Sequence, residues 1–226
     1  MATPLDDAQD PTAPDSGPDM PGSSSFPWPP GEGESPLEAL ARTWTGATFR
    51  PRSLFSAMPR EGGYGSAILY YLLIGVTASA IQMFWRIVLP LGEGNLTRLR
   101  SFGVPGGDLS PLVAFLLSPA ILLLLILLAA GVTHVVLAVL GGARGRFPTT
   151  ARVFAFSYSP QLFSIVPVIG PIVALPWMVV VAIIGLREAH PTELWRAALS
   201  VLIPVCIMLA FFVMALVIAM GTLMLA

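Results

Sequence analysis

Four stretches of the chain, 66–85, 109–143, 153–186 and 197–226, contain no aspartate, glutamate or arginine, and the segments between them hold every such charge. A helix needs about 20 apolar residues to cross roughly 30 Å of hydrocarbon. The first stretch predicts one span at 66–89. The second is too long for one upright span, and Ser118-Pro119 is a good helix start because proline at the first helical position needs no backbone partner. A span at 118–140 follows, with 110–117 as a preceding turn or short helix. The fourth predicts a span at 198–220, with Pro204 as a kink point because it removes a backbone donor.

The third stretch is different. As one helix, residues 153–186 would be about 50 Å long, far more than a bilayer needs. Its middle reads "IVPVIGPIVALP", where Pro167, Gly170, Pro171 and Pro176 break the helical pattern. The stretch therefore predicts a hairpin with arms at 152–166 and 172–187, either two tilted spans or a re-entrant pair sheltered by other helices. The expected fold class is an all-α polytopic membrane protein, a five-helix transmembrane bundle over 61–226 whose third and fourth spans form a short Pro/Gly-linked hairpin.

Ahead of this domain, residues 1–35 are acidic and proline-rich, a composition that buries too little apolar surface to offset ordering entropy. A disordered cytoplasmic tail is expected there, with "FPWPP" its one candidate partner motif. Residues 36–60 read as a cytoplasmic or interfacial amphipathic segment. Ser35 is the expected cap, Pro36 the first helical residue and Glu38 the partner in a capping box. Leu37, Leu40, Ala41 and Trp44 share one face. That face suits either the membrane interface or the cytoplasmic end of the bundle.

Composition agrees with the pattern: 55% of the 226 residues are hydrophobic and 11% charged, against about 25% charged in soluble domains. All twelve basic residues are arginine, a bias of GC-rich bacterial genomes. The start "MATPLDDAQDPTAPD" lacks the basic, then apolar, order of a secretory signal, so no cleavable signal is expected. The single cysteine, Cys206, makes no intrachain disulfide. With the N-terminus inside, nine arginines are cytoplasmic and three, including Arg86, lie at or beyond the outer edge, as the positive-inside rule requires. The expected location is a bacterial inner membrane, with the C-terminus outside.

The lead-in "TFRPRSLFSAMPREGGYGSAILYYLL" and the later run from "HVVLAVLGGARGRFPTTARVFAFSYSPQLF" to "IVPVIGPIVALPWMVVVAIIGLREAH" resemble the bacterial branch of the Yip (Ypt-interacting protein) domain family over roughly residues 40–210. The ordered series His134, Gly141-Gly142, Phe147 to Arg152, Tyr158, Pro160, Pro167, Gly170, Trp177 and Gly185 carries the resemblance. It implies five membrane helices with a cytoplasmic N-terminus. Eukaryotic relatives act in ER-to-Golgi traffic and contact prenylated Rab-type GTPases. The acidic "DLYGP"-like segment of those relatives is replaced here by "TFRPRSLFSAMPR", so Rab binding does not carry over.

Candidate chemistry is sparse. Every acid lies outside the spans, which removes a carboxylate pair or relay. His134, His190 and Cys206 have no ligand spacing for zinc, and a serine nucleophile in "SYSPQLFS" would have only His134 as an intramembrane base. No catalytic, cofactor or metal site and no nucleic-acid partner is expected, and the protein reads as a non-enzyme.

His134 reads either as a buried packing hydrogen bond, its face shared with the small Ala130, Gly131 and Ala138, or as a ligand or proton group. Tyr158 is a second candidate for buried polar packing. Arg86 reads as snorkelling to the headgroups or recognising one. Arg144, Arg146 and Arg152 either enforce topology or contact anionic lipids and other membrane proteins. The function expected is a membrane-organising or partner- and lipid-binding scaffold that contacts the bilayer and is able to self-associate. The alternative is a small transporter, channel or lipid-handling protein using the broken hairpin.

Overall fold

A computed structural model of the chain describes residues 26–59, 63–89 and 111–225. Residues 1–25 of the tail expected over 1–35, and the arginines at 60, 98 and 100, lie outside the described residues. The elements are α1 (Pro36–Phe49), α2 (Pro51–Ser56), α3 (Gly65–Val88), α4 (Pro111–Val139), α5 (Phe147–Ser157), a 3-10 helix (Ser159–Ile165), α6 (Ile169–Ala189) and α7 (Leu194–Leu225). There is no strand among the described residues. Four helical segments are long and apolar enough to cross a membrane: Gly65–Val88, Leu112–Val139, Ile169–Ala189 and Leu194–Ala215.

α3 and α4 run antiparallel, with Leu122 seated against Gly75. A Cβ at Gly75 would lie 2.6 Å from Leu122 Cδ1, so the close approach depends on glycine. α4 does not begin at Ser118 as the sequence predicts. It is continuous from Pro111, with Pro119 inside it. In an apolar solvent the helix is the cheapest way to satisfy the remaining backbone groups, so a proline is carried within it.

The segment 147–165 corrects the expected third arm. It is an 11-residue α-helix followed by a 7-residue 3-10 helix, about 17 Å and about 14 Å long at their usual rises. It runs alongside α3. Phe147 packs on Tyr64 at 6.0 Å between ring centroids, and Ile165 accepts a hydrogen bond from Trp85 Nε1 at 3.1 Å. The end of the bundle holding residues 141–146 and His190 is called the basic end below, and that holding Trp85 and Ile165 the far end.

The break at Ser159 is satisfied from three sides. Its hydroxyl donates to Phe156 O at 2.6 Å, so Tyr70 Oη, also 2.6 Å away, must donate to it. Trp44 Nε1 donates to the Ser159 carbonyl at 3.0 Å. The turn into α6 is tight: Ile169 N–H bonds to Pro167 O at 2.8 Å, with Val168 at φ 67°, ψ −59°. That is the rare, strained form of γ-turn, held by a β-branched residue. Gly170 follows, where a Cβ would fall 1.9 Å from Phe163 O.

α1 begins at Pro36 as expected, but Ser35 makes no side-chain capping bond. The acid at work is Glu34, which pairs with Arg42 and accepts from Gly31 N–H. The buried face of α1 is Ala39, Thr43 and Ala47, whereas Leu37 is exposed. Of the expected face, Leu40 and Trp44 pack half-buried against the core while Leu37 and Ala41 lie outside it, and the small buried residues let α1 approach the bundle closely. α2 returns from the tip of α1, placing Phe55 against Gly185 and Val153. Arg52 pairs with Glu188 at 3.2 Å.

"FPWPP", assigned to the tail by composition, packs on the bundle. Trp28 is buried, donates from Nε1 to Ser66 O at 2.7 Å and stacks edgewise on Tyr70, while Phe26 meets Phe156 at 5.0 Å. Two aromatic side chains suffice to order residues whose average composition is that of a coil.

Two outcomes test this architecture. Val168→Gly should stabilise the purified protein by about 1 kcal/mol in reversible denaturation in detergent, since a residue held in a sparsely populated backbone region costs about 1–3 kcal/mol. Trp44→Phe should destabilise it by about 1–3 kcal/mol in the same assay, the cost of leaving a buried carbonyl unmet.

Candidate functional site

The basic end is organised by the termination of α4. Gly141 has φ 69°, its N–H bonds to Ala138 O at 2.9 Å, and Gly142 N–H bonds to Leu137 O at 2.8 Å. This is a Schellman closure, which needs a left-handed residue after the helix. The chain then passes through Arg144 and Gly145 into α5, where Pro148 sits in the first turn.

A polar relay fastens this loop to two spans. Gly145 N–H donates to His190 Nδ1 at 3.0 Å, so that nitrogen is unprotonated and the proton of the neutral ring is on Nε2. His190 Nε2 lies 2.9 Å from Thr150 Oγ1 and therefore donates to it. Thr150 Oγ1 lies 2.8 Å from His134 Nδ1, and its own proton points there. His190 is fully buried, and burial, with the neighbouring His134, pushes its pKa down to about 4.

His134 thus makes a cross-helix hydrogen bond, with its ring edge-on to Phe147. Close approach does not occur at Gly131 or Ala138 as the sequence suggests. Gly131 has open space beside it and Ala138 is exposed, while Ala130, Thr133 and Leu137 are buried. Tyr158 is half-buried against Tyr71, ring centroids 4.6 Å apart.

The arginines divide. Arg144 joins Arg187 and Arg196 in lining one open pocket with Thr192 and Glu193. Arg196 is held there by Gly141 O at 2.9 Å and by Glu193 at 3.5 Å. Three arginines against one glutamate leave the lining of this pocket with an excess of positive charge. Arg146 caps α5 and does not line the pocket. Arg152 is corrected: at 6% exposure it is inside the bundle, on the buried face of α5, and offers no surface to lipid or partner. Arg86 is exposed at the far end.

Sequence reasoning missed Arg187, Arg196 and His190 as members of a site because they belong to a distant segment: His190 and Arg196 lie 45 and 55 residues from the loop glycines they bond. The signal available was topological: a hairpin returning to the same membrane face must set its closing loop beside the loop that opened it. No group of three or more metal-capable side chains exists among the described residues.

The relay makes stability pH-dependent. His190 is held neutral in the fold, whereas in the unfolded chain it takes up a proton near 6.5. Its contribution is therefore complete above pH about 6.5 and is lost as pH falls towards about 4. The thermal midpoint in detergent should drop by several degrees between pH about 7 and about 4.5, and His190→Gln should flatten that dependence. Thr150→Val, nearly isosteric, should destabilise by about 1–3 kcal/mol by stranding the buried Nε2 of His190 and the half-buried Nδ1 of His134.

The Yip1 domain pattern matches residues 45–217, from the last turn of α1 into α7. No curated protein and no solved structure matches the chain. A match over most of the sequence, joined to four apolar helices of membrane-crossing length, identifies the chain as a multi-pass membrane protein of the Yip1 domain family.

Proposed function

We propose that the protein is a non-enzymatic membrane organiser that holds anionic lipid at its basic end, on the cytoplasmic side of a bacterial inner membrane. The observation that carries this reading is the convergence of Arg144, Arg187 and Arg196 on one pocket beside the loop that the His134–Thr150–His190 relay fixes. Basic groups near a membrane surface attract anionic lipids by about 1 kcal/mol each. Arg196, held by the Gly141 carbonyl, loses less freedom on binding than a free side chain would.

The same reading takes residues 147–165 as a fifth crossing. Its α and 3-10 parts together are about as long as the stretch of α3 they accompany. Five crossings would put the termini on opposite sides, and the arginine bias favours an N-terminus inside, with eight arginines on the cytoplasmic side and Arg152 within the fifth crossing. The broken segment is packed by Phe26, Tyr70 and Phe156 rather than left open as a passage, which sets the transport alternative second.

In liposome flotation with phosphatidylglycerol-doped mixed micelles as competitor, replacing Arg144, Arg187 and Arg196 together by Gln should weaken anionic-lipid association by about two orders of magnitude, at roughly fivefold per charge. Unchanged association would remove the proposal, and solute flux through the reconstituted protein would favour transport instead. A periplasm-dependent reporter fused after Ala226 should be active, and activity of a cytoplasmic reporter there would overturn the orientation.

A further inference from the structure

The far end carries a second polar groove. Ser79, Gln82, Met83 and Arg86 of α3 face Ala114, Phe115 and Ser118 of α4 across a cavity of about 150 Å³. The α3 residues recur at i, i+3, i+4 and i+7, which makes them one helical face. Arg86 makes no ion pair or hydrogen bond with any described residue, and no described carboxylate lies at this end of the bundle.

Ser118 supplies the second, independent observation. It is 9% exposed, lines the groove, and its buried hydroxyl has no hydrogen-bond partner. A buried hydroxyl left unmet costs free energy, and such a group calls for a physical reason. Pro119 adds an acceptor: lacking an N–H, it leaves the Phe115 carbonyl without its helical donor on the wall of the same groove. On the other side of Arg86 lies a further groove, which shares Gln82 and contains Ser164, whose buried hydroxyl is also unpartnered.

Around this polar floor the surface is apolar. Phe84, Ile87, Leu112, Leu116 and Leu117 are exposed at the same level, facing the lipid. An occupant must therefore combine an anionic, hydrogen-bonding head with an apolar body. We propose that the α3–α4 groove binds the phosphodiester headgroup of one phospholipid from the leaflet at the far end. Arg86 supplies the charge, Gln82 and the Ser118 hydroxyl donate to phosphate oxygens, and the Phe115 carbonyl accepts from an ammonium or hydroxyl of the headgroup. Met83 and Phe115 flank the chains. The site is separate from the Arg144–Arg187–Arg196 pocket and does not depend on which side of the membrane the far end faces.

The test is native mass spectrometry of the full-length protein carried through delipidation in the presence of phosphatidylglycerol or phosphatidylethanolamine. A variant with Arg144, Arg187 and Arg196 replaced by Gln should retain one phospholipid at the far end, and wild type should retain that one in addition to any held at the basic pocket. Arg86→Gln should lower that retention by about tenfold, with Arg86→Lys intermediate. Ser118→Ala and Gln82→Ala should each lower it by about threefold to fivefold at an unchanged thermal midpoint. Equal retention by wild type and Arg86→Gln overturns the site. So does loss on Arg86→Gln with none on Ser118→Ala, which is the behaviour of a snorkelling arginine. Release of the lipid by inorganic phosphate at equal concentration overturns the lipid assignment in favour of a free anion. Should Arg86→Gln fail to fold, the Ser118→Ala measurement alone decides.

Discussion

The structure depends on satisfying backbone carbonyls where helices end or break inside an apolar solvent. Four of the five tryptophans donate an indole N–H to a main-chain oxygen: Trp28 to Ser66, Trp44 to Ser159, Trp85 to Ile165 and Trp177 to Thr48. Each joins two segments distant in sequence, and the last three meet carbonyls at the end of α1 or in the 3-10 helix. In lipid no water can take those roles, and an unmet carbonyl costs several kcal/mol. Indole brings one donor on a large apolar body, so it satisfies the oxygen and fills the space around it in one side chain.

This constraint orders the rest. A segment 147–165 that was helical throughout would need no such partners. Because it shifts from α to 3-10 at Ser159, it draws α1 and α3 onto itself through Trp44 and Tyr70. That docking places α2 over Gly185, and it positions α5 so that Thr150 stands between His134 and His190. The geometry of the basic pocket follows from the same chain of contacts, since Gly145 is tied to His190 and Gly141 to Arg196.

Much of the fold was legible because lipid imposes a simple rule, and charge-free runs mark the long helices. α3 falls at 65–88 against an expected 66–89, and α6 at 169–189 against 172–187. What depended on proline was harder to read. Pro119, which reads as a helix start, lies within α4, while Pro160 sits in the first turn of the 3-10 helix and Pro167 just beyond its end. Proline reports a missing donor, and whether the helix ends there depends on neighbours that sequence does not display. The face of α1 is legible in part: Leu40 and Trp44 pack on the core as the apolar stripe predicts, whereas the small Ala39, Thr43 and Ala47 that lie most deeply buried give little amphipathic signal. Of the basic site only Arg144 was foreseen, since its partners are neighbours in space through loops closed at opposite ends of the hairpin.

The docking of Phe26 and Trp28 bears on where the protein begins as a physical object. The family match starts at residue 45, yet the residues covering Tyr70 and Phe156 lie before it. A truncation drawn at the edge of the match would also cut α1 in two, removing Trp44 and uncovering the Ser159 carbonyl. The cooperative unit is thus longer than the recognisable one, and it takes in two aromatic rings from a segment whose composition resembles a linker.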